Sequence, residues 1–118
     1  MAGLYLHIPF CKQACTYCDF HFSTSLGQRD RVMSAILKEI AMRAPEANGA
    51  GLGSIYLGGG TPSVVGTEAL ENLLRTIAEH FTITGSAEVT IEANPDDVTV
   101  DALRQWKDLG ITRVSLGI

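Results

Sequence analysis

Cys11, Cys15 and Cys18 are spaced C-x3-C-x2-C and are the only cysteines among 118 residues. An isolated buried cysteine behaves as a small hydrophobe, and three scattered ones would need no further account. Three within one short loop are placed to share a metal. Three thiolates hold three corners of a [4Fe-4S] cube, one fewer than the four that normally close an electron-transfer cluster. One iron is then left open to a small molecule.

An open, electron-rich iron suits a cosubstrate that binds the metal directly and is cleaved by one electron. S-adenosylmethionine has that chemistry, because its amino and carboxylate groups can chelate iron and its sulfonium can accept an electron. A zinc reading stays open beside it. His21 lies three residues after Cys18 and would complete a Cys3His tetrahedron, making the chain a zinc-stabilised binding module. Structural zinc more often uses paired C-x2-C knuckles separated by a longer loop. A disulfide framework is disfavoured by the odd cysteine number and by the lack of any secretion signal.

The elements that must position this loop belong to an ordinary globular chain. A hydrophobic fraction of 46% with 19% charged residues excludes both a disordered segment and a membrane-spanning one. The net charge of -4 and the absence of a Lys/Arg cluster argue against nucleic acid as a partner. The opening LYLHIPF is apolar but short and interrupted by His7 and Pro9, so no signal peptide is expected and a reducing cytoplasm is the expected setting.

Residues 4–8 read as a short strand stopped by Pro9, with the cysteine loop immediately after it. Over residues 28–44, Val32, Met33, Ile36, Leu37, Ile40 and Ala41 recur at helical spacing, and the helix closes before Pro45. Residues 54–57 form a second strand running into Gly58, Gly59 and Gly60. Thr67 is placed to cap a second helix with Leu70, Leu73, Leu74, Ile77, Ala78 and Phe81 on its apolar face. Residues 87–93 make a third strand. A shorter helix over residues 99–109 turns Leu103, Trp106 and Leu109 inward and ends at Gly110, and residues 114–118 begin a fourth strand.

Alternating strands and helices call for a parallel α/β sheet, either an open sheet or part of a βα barrel. A whole barrel needs about 200 residues or more, so residues 1–118 are expected to be the N-terminal part of a larger domain. In such folds ligands bind beyond the carboxyl ends of the strands. Every unusual feature falls there: the cysteine loop after strand one, Gly58-Gly59-Gly60-Thr61-Pro62 after strand two, and Glu92-Ala93-Asn94-Pro95 closing strand three. The glycines let a ligand approach the backbone, although a tight turn would also explain them. A nucleotide P-loop is disfavoured because no G-K-[ST] ending follows. Glu92 is either a ligand-facing carboxylate or a solvated one at a strand end. His7 and His80 read as structural, Met33 and Met42 as packing, and Asp96, Asp97 and Asp101 as helix-start residues.

The segments YLHIPFCKQACTYCDF, LGGGTPS, IEANPDD and RVSLGI, in that order and over nearly the whole chain, resemble the radical S-adenosylmethionine superfamily. Within it they are similar to the branch of oxygen-independent coproporphyrinogen III oxidases and HemW-type heme chaperones. The resemblance implies a partial βα barrel with parallel strands, a cluster ligated by Cys11, Cys15 and Cys18, and Tyr5 and Tyr17 beside the cluster and cosubstrate. It further implies that Gly59, Gly60, Thr61 and Glu92 contact S-adenosylmethionine. The oxidases resemble C-x3-C-x2-C-x-C, and this chain has Phe20 at the last of those positions. Its C-D-F ending looks like the chaperones. The implied role is delivery of heme to an apo-protein, with a flavodoxin or ferredoxin as reductant. The alternative is radical oxidative decarboxylation of a coproporphyrinogen propionate, started by hydrogen abstraction by a 5′-deoxyadenosyl radical.

Overall fold

The computed structural model describes residues 2–8, 26–47, 49–59 and 66–116. The chain runs β1 (Ala2–Ile8), α1 (Leu26–Arg43), β2 (Leu52–Gly59), α2 (Thr67–His80), β3 (Ile83–Ala93), α3 (Val100–Asp108) and β4 (Arg113–Leu116). All neighbouring strands pair in parallel, in the spatial order β1-β2-β3-β4. Among the described helices none is long and apolar enough to cross a membrane.

This order resolves the choice between an open sheet and a barrel. A doubly wound sheet reverses its strand order and carries helices on both faces. Here the strands follow the order of the chain. One hydrophobic cluster takes Met33 and Ile40 from α1, Leu70, Leu73 and Ile77 from α2, and Trp106 from α3, together with one face of the sheet. The three helices therefore cover that face alone, as in a strip cut from a βα barrel.

Strand periodicity explains why only one face is covered. Leu6 and Ile8 of β1 register with Leu57 and Gly59 of β2, while Ile55 and Leu57 register with Val89 and Ile91 of β3. These leucines, isoleucines and Val89 are buried against the helices, each burial contributing about 1.5–3 kcal/mol relative to exposure. The alternate residues lie on the other face and are of different chemistry: Tyr5 opposite Tyr56, Ser54 opposite Glu88, Glu92 opposite Ser115. Among the described residues no helix covers that inner face.

Several boundaries depart from the sequence expectation. Strand β2 runs from Leu52 to Gly59, so Gly58 and Gly59 lie inside the strand and only Gly60 follows it. Pairing of Ile8 with Gly59 is what draws the glycines into the ladder. Strand β3 begins at Ile83, four residues early, beside a register irregularity between Leu52 and Ser54. The cap of α2 is Gly66, which offers no side chain, and Thr67 instead donates its hydroxyl to Gln105 Oε1 of the α3 region. Ala41 and Ala78 are exposed. Leu103 is also exposed, at 43%, beside a groove formed with Trp106 and Val114 along the open edge of β4.

Side chains hold the other helix ends. Thr99 caps α3, its hydroxyl accepting from the Ala102 N–H at 3.1 Å, and Asn94 accepts from the Asp96 N–H to start the 3-10 turn Pro95–Asp97. Arg43 closes α1 by donating to Glu39 at 3.1 Å and to Glu46 at 2.9 Å. That hydrogen bond first, and its charge second, hold the Glu46 carboxyl below its ordinary range. All three side chains are solvent-exposed, so the cluster adds little stability.

Candidate functional site

The site is built over β2 at Gly58. A Cβ placed on Gly58 would meet Tyr5 Oη at 2.8 Å and Tyr5 Cε2 at 2.9 Å, and would overlap Glu92 Oε1. Two side chains from the flanking strands thus converge on one point above the middle strand. No residue but glycine leaves that space free. Glu92 is half-buried at the carboxyl end of β3, and its Oε1 accepts the N–H of Gly59 at 3.2 Å. The β2–β3 ladder has its last paired residues at Leu57 and Ile91, so a side-chain oxygen takes over where backbone pairing stops.

Gly59 has its own constraint. Its φ is 114°, and a Cβ there would lie 2.7 Å from the carbonyl oxygen of Ile8 and 2.9 Å from its nitrogen. The absence of a side chain lets the end of β1 close onto β2, which fixes the point from which the cysteine loop departs. Tyr5 is 56% exposed and its hydroxyl lies 3.5 Å from Nδ1 of His7, on the same face. Tyr5 also stacks on Tyr56 with ring centroids 5.7 Å apart and an interplanar angle of 15°.

Of the expected site residues, Tyr5, Gly59 and Glu92 are brought together. Cys11, Cys15, Cys18, Tyr17, Gly60 and Thr61 lie outside the described residues, as does His21. Among the described residues no group of three His, Cys, Asp or Glu side chains is placed to hold a metal ion. Sequence reasoning treated Gly58 as one of a loop run and passed over Tyr56. A tyrosine in a strand is what β propensity alone favours, and only the register shows it facing Tyr5. His7, read as structural, shares the inner face with these groups. A groove of about 450 Å³ also runs along the edge of β1, bounded by Ile36 and Ile40 of α1, but it follows the strand edge and does not include Gly58 or Glu92.

The Radical SAM superfamily model matches residues 5–118. The chain belongs to the radical SAM superfamily. It is 40% identical over 120 residues to the heme chaperone HemW of Mycobacterium tuberculosis, an overlap of 98% of this chain and 31% of that protein. It is 36% identical over 123 residues to the oxygen-independent coproporphyrinogen III oxidase of Bradyrhizobium diazoefficiens, covering 99% of this chain and 27% of the relative. The solved structure of coproporphyrinogen III oxidase (HemN) from Escherichia coli, described as a radical SAM enzyme, superposes with a TM-score of 0.83 at 31% identity, over 98% of this chain and 27% of that one. The chain therefore spans less than a third of the relatives it matches.

Radical SAM membership implies S-adenosylmethionine and a [4Fe-4S] cluster as cofactors. The described residues fit the first of these. S-adenosylmethionine carries an ammonium and a sulfonium, and Glu92 keeps one oxygen and further lone pairs for a cationic donor after accepting from Gly59. The exposed Tyr5 ring offers a π face to a cation, and Tyr5 and Glu92 together fill the space over Gly58, so a ligand there meets these two side chains.

Proposed function

We propose that this chain is the cofactor-binding part of a radical SAM heme chaperone, with Cys11, Cys15 and Cys18 ligating the cluster. The convergence of Tyr5 and Glu92 over Gly58, at the strand end from which the cysteine loop leaves, carries this reading. Glu92 receives the amino group of S-adenosylmethionine, Gly59, Gly60 and Thr61 line its amino-acid end, and Tyr5 and Tyr17 form the wall toward the cluster. When bound, the cluster and S-adenosylmethionine supply one-electron cleavage chemistry. The chain's own residues bind and orient the cosubstrate and keep its charged end out of bulk water.

Heme is the cargo in this reading, delivered to an apo-protein, with a flavodoxin or ferredoxin as electron donor in a reducing compartment such as the cytoplasm. Phe20, where the oxidase pattern has a further cysteine, favours the chaperone. The likeness to an oxidase at 36% identity supports the second reading, oxidative decarboxylation of a coproporphyrinogen.

The test is anaerobic reconstitution of the full-length protein with iron and sulfide, followed by electron paramagnetic resonance of the reduced cluster with and without S-adenosylmethionine. A [4Fe-4S] signal that changes with the cosubstrate is expected, and zinc bound without acid-labile sulfide would sink the reading. Stoichiometric heme binding without coproporphyrinogen turnover separates the chaperone from the oxidase. Cys15→Ala is expected to abolish cluster assembly, measured as iron and sulfide per chain.

A further inference from the structure

Tyr5 occupies an insecure position for a ligand-binding group. Strand β1 is an edge of the described sheet, and Tyr5 is 56% exposed on the face that no described helix covers. A tyrosine there has staggered χ1 choices that aim the ring either across β2 or off the sheet edge. Core packing does not choose between them.

Tyr56 does. It stands directly opposite Tyr5 in the β1–β2 register, is half-buried, and stacks on the Tyr5 ring at 5.7 Å and 15°. Its register partner on β3 is Thr90, which offers no ring to compete for that face. With its ring held inward, Tyr5 extends diagonally to the next inner-face position of β2, Gly58, over which its hydroxyl and Glu92 Oε1 both stand. Diagonal cross-strand neighbours are within reach of aromatic side chains. We propose that Tyr56 is a positioning residue, which holds Tyr5 over β2 so that its hydroxyl stays beside Glu92 as one wall of the cosubstrate pocket.

The inference rests on the S-adenosylmethionine reading above, and the two fail differently. The readout is the change in the electron paramagnetic resonance signal of the reduced, reconstituted full-length protein as S-adenosylmethionine is titrated. No response in the unsubstituted protein removes the underlying reading and this inference with it. Given a response, Tyr56→Leu is expected to raise the half-saturating concentration by about 3- to 10-fold, the range a lost aromatic pair commands, with iron and sulfide content unchanged. Tyr56→Phe keeps the stack and is expected to match the unsubstituted protein.

The double variant is the sharper comparison. If Tyr56 acts through Tyr5, Tyr5→Leu with Tyr56→Leu binds no more weakly than Tyr5→Leu alone. Full additivity would overturn the proposal, as would an unaltered titration in Tyr56→Leu or a Tyr56→Phe protein as weak as Tyr56→Leu. Tyr56→Met, whose longer unbranched side chain adapts to the space, guards against a Leu variant that fails to fold. Loss of the cluster in both would also overturn it, by making the ring a structural requirement.

Discussion

A single methyl group tests the site. Gly58→Ala places a carbon against both Glu92 Oε1 and Tyr5 Oη, so one or both must leave. Forced displacement of this kind costs about 1–3 kcal/mol. The expected result in the full-length protein is S-adenosylmethionine binding weakened about 10-fold or more, with iron and sulfide retained; unchanged binding would show that neither side chain is used. Glu92 separates charge from hydrogen bonding. Glu92→Gln keeps an oxygen for the Gly59 N–H and is expected to leave the urea midpoint nearly unchanged. It removes the anion, and because hydrogen bonds to charged groups are worth about 1.5–3 kcal/mol, cosubstrate affinity should fall by at least about 10-fold. Glu92→Ala should additionally destabilise the fold by about 1–3 kcal/mol in urea unfolding, because a half-buried N–H loses its acceptor.

At the scale of elements, side chains join what the backbone leaves open. Thr112, just before β4, accepts the Val89 N–H on its hydroxyl at 2.9 Å, and its own N–H donates to the Val89 carbonyl at 2.8 Å. It docks the start of β4 onto β3 before regular pairing begins at Arg113. Thr112→Val keeps the shape but loses the hydroxyl, and should lower stability by about 1–3 kcal/mol without altering the cluster load. The helices were legible from their periodicity: Met33 and Ile40, Leu70, Leu73 and Ile77, and Trp106 are all buried where the helical spacing puts them. Leu103 was not, since an amphipathic pattern identifies an apolar stripe but not whether a neighbour covers its margin. Thr67 was not, since a capping side chain and one that reaches another helix look alike in sequence. The early start of β3 follows from its register with β2, a long-range fact that a local window does not contain.

At the scale of the molecule, the buried hydrophobic side chains of the described strands lie on one side of the sheet, and β1 and β4 are the edges of the described sheet. Leu116 of β4 is 54% exposed, and a groove follows β1. Open edges pair with other chains, so the 118-residue chain by itself is expected to show concentration-dependent self-association in sedimentation velocity, and a monomer throughout would contradict this. The superfamily was legible because cysteine spacing and glycine runs are local signals. The meeting of Tyr5, Gly58 and Glu92 was not, because residues from three strands are joined only by register, and no spacing along the chain encodes it.

The alternation along these strands separates two kinds of heritable change. Substitutions at Leu6, Ile55, Leu57 or Ile91 strike the packed side and are penalised whatever molecule the protein binds. Substitutions at Tyr5, Ser54, Tyr56 or Thr90 leave that packing intact. A lineage carrying this sheet can therefore explore new ligands one inward residue at a time without first acquiring compensating mutations in its interior.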